Sequence, residues 1–286
     1  MQSRKLIVTG DDFGLSVPVN EAIIKAHQSG ILTTTSLMVA GPAAADAVTR
    51  AREFPSLHVG LHLVVVSGSP CLPSAKIPDL VDGHGQLSPN PVTSGIKIFF
   101  LPHVRRQLEA EIRAQFEAFR NTGLRLDHVN AHKHIHLHPT ILDMIIKIGK
   151  EYDLKAVRIP DEPPIKYLAD SRKESVRRYL RWFFQKPLVV RMKKRLMANN
   201  LLGNDYIFGL HDSGHMNLDT LIRILSHLPE GLSEIYFHPA TGNWDSQEPG
   251  TDDYEYEAEY KALIHPRTKR AIEKFSIELT GFGDNH

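Results

Sequence analysis

The densest group of metal-binding side chains lies between Asp127 and His138. Five of the chain's 16 histidines fall in this stretch, at residues 128, 132, 134, 136 and 138. In an extended chain such alternate residues share one face and lie roughly 6.6–6.8 Å apart. A metal–nitrogen bond is only about 2.0–2.1 Å long, so two of these histidines could flank one ion but four could not. The run predicts a metal site with further ligands from elsewhere; the alternative is a polar surface strand.

Two further segments carry ligand-type side chains beside apolar runs. Asp11 and Asp12 follow the run 6–8. Of two adjacent carboxylates, one can bind a cation and the other can act as a general base. The alternative interpretation is a solvated turn or a helix cap. His62 stands in the apolar stretch 60–66, where a lone histidine is otherwise a hydrogen-bonded core residue. Their strand-end positions make Asp12 and His62 candidates for the missing ligands.

Two other residues are candidates for acid–base and orienting roles. His238 follows the predicted strand 234–237, and an imidazole outside a metal site is suited to protonate a leaving group. The alternative interpretation of His238 is a histidine that caps an element or lies in the core. Arg158 lies in the run 156–159 and could hold a carboxylate through two parallel hydrogen bonds, with a structural ion pair as the alternative. A nucleophile elbow, a phosphate-binding loop and an H-E-x-x-H motif are all absent from the sequence.

Short apolar runs alternate with helical patterns along the whole chain. The predicted strands span 6–8, 36–39, 59–66, 126–130, 156–159, 206–210, 234–237 and 277–280. The predicted helices span 16–30, 43–54, 102–120, 139–152, 218–228 and 258–274. In parallel α/β folds with this alternation, the carboxyl ends of the strands meet at one rim. The pattern predicts one domain over residues 1–286, a distorted parallel (β/α) barrel that is TIM-barrel-like, with about seven to eight strands.

Composition excludes several classes of protein. The chain has 286 residues with 34 Lys+Arg against 33 Asp+Glu, and the net charge of +1 gives no signal for nucleic acid. The single cysteine, Cys71, rules out a disulfide framework and a cysteine-based zinc ribbon. No apolar window reaches the ~18 residues of a spanning helix, and no secretory signal pattern precedes the first strand. We therefore expect a cytoplasmic protein.

The even charge balance hides one strongly basic segment. A basic aromatic insertion is predicted at about 161–203. Its central part, 172–195, holds ten Lys/Arg and one acid, interleaved with Trp182, Phe183 and Phe184. Such a segment is either a solvated helix or lid over the barrel, or a peripheral contact with an anionic membrane face. Both interpretations stay open at this point, as does the formation of a homodimer.

Taken in order, four motifs resemble those of the YdjC-like carbohydrate deacetylases. They are IVTGDDFGLS at 7–16, GLHL at 60–63, HKHIH at 132–136 and FHP at 237–239. The match spans nearly the whole chain and is specific in combination. Within the family, the hopanoid-biosynthesis-associated branch is the most similar. The segments that carry this finer resemblance are 99–102, 127–138, 213–216 and 281–284.

The resemblance implies an enzyme that hydrolyses the N-acetyl group of an amino sugar at one divalent ion, Mg²⁺ or Zn²⁺. The metal ligands that it implies are Asp12, His62 and His132. It also implies Asp11 as the general base, Arg158 as the residue that orients this base, and His238 as a candidate general acid. In the most similar branch the implied substrate is an acetylglucosaminyl hopanoid lipid.

Two rival functions stay open. Deacetylation of soluble chito-oligosaccharides or acetylated disaccharides would use the same chemistry, with the basic segment as a lid. A non-catalytic carbohydrate- or lipid-binding protein would not need both a base and metal ligands. Three departures from the family pattern are Gly10 for the usual alanine, Asn130-Ala131 for the common Asp-Ser, and Ala240 for the usual glycine. The change at Asn130 leaves the hydrogen-bond partner of His132 open.

Overall fold

Seven parallel strands form a curved sheet in the computed structural model, which describes residues 3–90, 94, 96, 100–164, 171–242, 244, 246 and 250–285. The strands are β1 (Arg4–Phe13), β2 (Thr34–Leu37), β3 (His58–Leu63), β4 (Val129–Ala131), β5 (Tyr206–Phe208), β6 (Gly231–Phe237) and β7 (Ile277–Leu279). Their order is β4-β3-β2-β1-β6-β5, and β7 pairs with the first residues of β1. Because the strands are parallel, their carboxyl ends lie at one rim.

The sheet continues between β4 and β5 through two isolated parallel bridges. Val129 of β4 pairs with Val157, and Ala156 pairs with Leu202 in the segment that leads into β5. The strand predicted at 156–159 is therefore only a pair of single-residue bridges. With these bridges the hydrogen bonding runs around the sheet, and the prediction of a distorted parallel barrel is confirmed.

Two predicted elements differ from the structure for local reasons. The pairing ends at Ile159, because its backbone N–H donates to the side chain of Asn204 at 2.7 Å instead of to a strand. The helix predicted at 258–274 is two helices. Pro266 has no N–H and restricts the residue before it, so His265 takes an extended conformation with φ −68° and ψ 136° and ends the first helix.

Helices cover the outer face of the sheet. They are α1 (Val17–Ser29), α2 (Ala44–Glu53), α3 (Pro102–Asn121), α4 (Pro139–Gly149), α5 (Arg172–Met197), α6 (Leu218–Ser226), α7 (Tyr256–Ile264) and α8 (Pro266–Lys274). α1 shows why such segments are helical: Val19, Ile23 and Ala26 are spaced by four and three residues and are buried together, while Ser16 caps the helix. Within these described ranges, no helix is both long and apolar enough to cross a membrane.

The histidine run is not one extended strand. β4 ends at Ala131, and residues His132–Leu137 form a 3₁₀ segment in which Lys133 and His134 have left-handed φ angles of 54° and 53°. The expectation that the five histidines share one extended face is therefore wrong. The turn directs them into different surroundings.

The basic segment contains the long helix α5, which begins after Ser171. The side chain of Ser171 accepts a hydrogen bond from the backbone N–H of Glu174, as a helix-capping serine does. Residues 165–170 of the predicted insertion lie outside the described residues. That the stretch 161–203 is an insertion into a single catalytic domain stays a prediction.

Candidate functional site

The carboxyl ends of β1, β3 and β4 bring three buried side chains together. Asp12 Oδ1 lies 3.2 Å from His62 Nε2 and 3.5 Å from His132 Nδ1, and the two histidine nitrogens are 3.4 Å apart. Atoms that bind one ion at about 2.1 Å in tetrahedral directions lie about 3.4 Å from each other. The three residues are therefore spaced as donors to a single ion. Among the residues described here, no second group of His, Cys, Asp or Glu has such spacing.

The chemistry of this cluster suits a divalent metal. Asp12 Oδ1 is buried and accepts no hydrogen bond from a described residue, so one lone pair is unused. Two imidazoles with one carboxylate suit zinc, manganese or cobalt at least as well as magnesium. Asp12, His62 and His132 could thus hold the divalent ion that the sequence predicts. Their chemistry is compatible with several metals.

An extra residue in β1 allows the side chains of two consecutive residues, Asp11 and Asp12, to face the site. Opposite β2, Gly10 pairs with Thr35 and Phe13 with Leu37, so three steps along β1 match two steps along its neighbour. The backbone of Asp12 is left-handed, with φ 64°. In a regular strand neighbouring side chains point to opposite faces. This β-bulge is what allows Asp11 and Asp12 to serve the same site.

Asn130 connects the metal cluster to Asp11. Its Oδ1 accepts a hydrogen bond from His62 Nδ1 at 2.7 Å, and its Nδ2 donates to Asp11 Oδ1 at 3.1 Å. An amide oxygen only accepts, so the proton of His62 is on Nδ1 and the lone pair of Nε2 faces Asp12. The residue that departs from the family pattern therefore orients His62 rather than His132.

Asp11 is a buried anion held by a buried cation. Arg158 Nη1 donates to Asp11 Oδ2 at 2.6 Å and Nη2 donates to Oδ1 at 2.9 Å, while Ser36 Oγ donates to Oδ1 at 2.9 Å. Burial raises the pKa of Asp11, but the charge and hydrogen bonds of Arg158, together with the nearby His62 and His238, outweigh this effect and lower that pKa well below its usual range. Asp11 is therefore ionised and fixed in orientation at neutral pH.

Arg158 binds a second carboxylate that the sequence reasoning missed. Its Nε lies 3.0 Å from both oxygens of Glu234, and its side chain is fully buried. Thr9 Oγ1 also donates to Glu234 Oε1, at 2.7 Å. The alternation of Glu234, Tyr236 and His238 with apolar residues could have revealed this inward face, because it has the period of a strand.

His238 lies directly after β6 and lines the same cavity as the metal cluster. Its Nδ1 is buried without a hydrogen-bond partner among the described residues, and its ring is 5.3 Å from that of Tyr254. The predicted acid is thus outside the group of three candidate ligands and beside it. This position suits proton donation to a bound molecule, although its role stays a prediction.

Two other histidines of the run have structural surroundings. His128 bonds to Asp127 at 3.0 Å and stacks on Phe282, with 4.6 Å between ring centres. His136 Nε2 bonds to the backbone oxygen of Arg158 at 3.0 Å, which supports the segment that carries the guanidinium. Of the five histidines, only His132 belongs to the candidate metal cluster.

Two cavities open next to each other at the rim. The first, of about 340 Å³, contains the metal cluster, Asp11 and His238, and α5 contributes Arg181 to its wall. The second, of about 550 Å³, is a largely apolar groove lined mainly by the segments after β1, β2 and β3, with contributions from α3 and from the segment after β6. Its apolar wall includes Leu15, Met38, Pro42, Val64, Leu87 and Trp244.

Two contacts separate the groove from the first cavity. Lys133 of the cavity donates to Ser67 of the groove at 2.8 Å. Trp244 of the groove meets Tyr256 of the cavity edge-on, with 4.9 Å between ring centres. One layer of side chains thus lies between the two cavities. A molecule bound in the first cavity could extend across this layer into the groove.

Comparison with known proteins identifies relatives over about half of the chain. A carbohydrate deacetylase of Brevibacillus brevis is 40% identical over 156 residues, which cover 54% of this chain and 59% of that protein. One of Oceanobacillus iheyensis is 37% identical over 167 residues, covering 58% and 66%. A third, of Vibrio cholerae, is 36% identical over 150 residues, covering 52% and 56%. The matched part is thus less than two thirds of each of these relatives.

One solved structure matches over almost the full length. It is a protein of Enterococcus faecalis named for a proposed cellobiose-phosphate cleavage, with a TM-score of 0.76, 23% identity and 99% coverage of both chains. At this identity the likeness concerns the fold alone. The family of YdjC-like proteins matches residues 5–274, and the chain belongs to that family.

Proposed function

We propose that this protein is a metal-dependent hydrolase that removes the N-acetyl group of an amino sugar. The observation that carries the proposal is the cluster of Asp12, His62 and His132 beside the Arg158-bound Asp11. A protein that only binds carbohydrate or lipid has no use for a cation site together with an oriented anion. The deacetylase names of its relatives support the same chemistry for this chain.

The cluster would hold one divalent ion, Zn²⁺ or Mg²⁺, with the donor set and spacing favouring zinc. Such an ion would supply a Lewis acid that polarises the acetyl carbonyl and lowers the pKa of a nearby water molecule. Acidifying the water matters here, because Arg158 keeps the pKa of Asp11 low and makes this carboxylate a weak base on its own.

The two proton transfers are assigned to residues on different strands. Asp11, at the end of β1, would accept the proton that water loses when it attacks the carbonyl carbon. His238, after β6, would give a proton to the nitrogen that leaves as the sugar amine. Arg158 would keep the Asp11 carboxylate in one orientation throughout, so that no solvent reorganisation is needed during proton transfer.

For the substrate we favour a glycolipid, and specifically an acetylglucosaminyl hopanoid, over a soluble chito-oligosaccharide. The apolar groove supports this choice, because its leucine, methionine, valine and proline side chains suit a hydrocarbon better than a hydroxyl-rich second sugar. In this proposal the enzyme acts on the cytoplasmic side, and it touches the membrane only at its surface.

The deacetylase proposal is tested by measuring acetate release from acetylated amino sugars before and after removal of metal with a chelator. We expect activity that the chelator abolishes and that Zn²⁺ or Mg²⁺ restores. The exposed His215→Ala variant serves as a control for general effects of removing a histidine. Binding of the sugars without any acetate release would instead favour the non-catalytic alternative.

The substrate proposal is tested with N-acetylglucosaminides whose alkyl aglycone grows from methyl to octyl. If the groove holds the aglycone, kcat/KM should rise by up to about fourfold per methylene, as for full burial of each group. Met38→Gln and Leu87→Gln should remove this gain but leave the methyl glycoside unaffected. A rise with the number of sugar units, and none with alkyl length, would favour the chito-oligosaccharide.

A further inference from the structure

Helix α5 packs one face on the barrel and leaves a second apolar face uncovered. Val189, Met192 and Leu196 form the packed face, and each is at most 2% exposed. The other face, here called the apolar stripe, consists of Val176, Tyr179, Leu180, Phe183, Phe184 and Val190, which are between 40% and 73% exposed. At 3.6 residues per turn the stripe lies opposite the packed face. Exposed aromatic patches of this kind indicate a binding partner.

Some of the basic residues of α5 are paired with acidic residues, and Arg191 and Arg195 near its C-terminal end lie 3.9 and 2.7 Å from Asp143. On the side of the barrel, Arg178 Nη2 lies 2.6 Å from Asp212, and Lys186 and Lys193 lie 3.0 and 2.7 Å from Asp161. The positive charge that faces the protein is therefore neutralised by acidic residues of the barrel.

The bases around the stripe are different. Arg172, Lys173, Arg177 and Lys194 are exposed and make no ion pair within the part of the chain that the structure describes. Helical spacing places all four on the half of α5 that carries the apolar stripe. Hydrocarbon and uncompensated positive charge thus share one surface, and a partner must match both.

We infer that this surface of α5 docks on a lipid bilayer that contains anionic headgroups. The stripe would enter the interface between headgroups and acyl chains, and the surrounding bases would contact the anionic lipids. A second copy of the chain would match the apolar stripe but would bring like charges together around it. The charge distribution therefore favours the bilayer over a homodimer.

The docking surface adjoins the catalytic cavity. Arg181, on the flank of the stripe, lines that cavity and donates to the backbone oxygen of Leu210 at 3.0 Å. A docked molecule would hold the cavity mouth beside the lipid surface, where the sugar of a glycolipid is presented. This benefit rests on the proposed glycolipid substrate, whereas the docking itself does not.

The test measures co-sedimentation of the full chain with phosphatidylcholine vesicles that contain or lack phosphatidylglycerol, with no substrate present. We expect binding only to the anionic vesicles, and weaker binding at higher salt. Arg177→Glu combined with Lys194→Glu should weaken binding by at least about 25-fold, because each base near an anionic leaflet contributes about fivefold. Phe183→Ser combined with Phe184→Ser should weaken it by at least about tenfold through lost apolar burial.

Lys269→Glu combined with Arg270→Glu is the matched control, since these exposed bases lie on α8. Circular dichroism shows whether each variant keeps its fold. Equal binding to neutral and anionic vesicles, or equal loss in the control, would overturn the inference. A wild-type dimer that the Phe183/Phe184 variant converts to a monomer would show instead that the stripe joins two copies. Because no substrate is used, vesicle binding can succeed or fail independently of deacetylation.

Discussion

Arg158 and Glu234 form an ion pair in which neither side chain is exposed to solvent, with Nη2 of the arginine 2.7 Å from Oε1 of the glutamate. The same guanidinium lies 2.6 Å from Asp11 Oδ2. One cation is therefore shared by two anions, and Glu234 offsets part of the charge that acts on Asp11. Glu234 is therefore placed to influence the pKa of Asp11 through Arg158 without contacting it.

Glu234→Gln tests this indirect effect. With less of its charge offset, Arg158 should lower the pKa of Asp11 further and make it a weaker base, so kcat should fall roughly tenfold or more. The metal content, measured by elemental analysis, should not change. The same substitution at the exposed Glu278 is the control. An unchanged kcat in Glu234→Gln would mean that Glu234 has only a structural role as an ion-pair partner of Arg158.

His132→Ala and His62→Ala test the metal cluster. Each removes one of three donors spaced 3.2–3.5 Å apart, and we expect both bound metal and acetate release to be lost. Elemental analysis of the purified variants gives the metal content directly. His215→Ala should keep both properties. A His132→Ala variant that still binds one ion per chain would remove His132 from the ligand set.

Asn130→Asp tests the link between the two halves of the site. The new carboxylate would still accept the proton of His62, but it would place a second negative charge where an amide now donates to Asp11. Like charge raises the pKa of a carboxylate, so the acidic limb of the kcat/KM profile should move to higher pH by about one unit or more. An unshifted acidic limb would mean that Asp11 is not the titrating base.

Glu162 predicts a pH dependence of stability. Burial raises the pKa of this carboxyl to about 8, and Asp212 adds to the rise. Its folded-state pKa is above the unfolded value, so its contribution to stability is complete below about pH 4 and is lost as the pH rises through about 8. Unfolding in urea should therefore show a free energy that falls from pH 5 to pH 8.5.

Glu162→Gln removes this titration but keeps an oxygen to accept from the backbone N–H of His211. The variant should gain on the wild type as the pH rises, by on the order of 3 kcal/mol at pH 8.5. Parallel stability curves for the two proteins would show that Glu162 is ionised in the folded state at neutral pH.

The strand-end argument was sufficient to predict which segments meet. Asp12, His62 and His132 come from three parallel strands, and the shared rim follows from topology alone. Their roles as ligands, and the roles of Asp11 and His238, stay predictions. The bulge in β1 could not be predicted from topology. Nothing in the sequence distinguishes a regular strand from one in which Asp12 has a left-handed backbone.

Other parts of the site depended on long-range packing. The sequence predicted that Arg158 holds a carboxylate, but not which residue provides it. Its partners Asp11 and Glu234 lie 147 and 76 residues away in the chain. The extended histidine face was wrong because Lys133 and His134 adopt left-handed conformations, which a periodicity argument does not consider. The break at Pro266, by contrast, was readable from the sequence.

The two isolated bridges between β4 and β5 are the weakest join in the barrel, and Arg158 follows them immediately in the chain. Its ionic partners stand on β1 and β6, across the interior from that join. The ion pairs of Arg158 therefore connect the segment between β4 and β5 to β1 and β6 across the barrel, in addition to the two bridges. Displacing this segment would separate a buried cation from two anions and would also remove the residue that orients Asp11, so the closure of the barrel and the geometry of the candidate site depend on the same ion pairs.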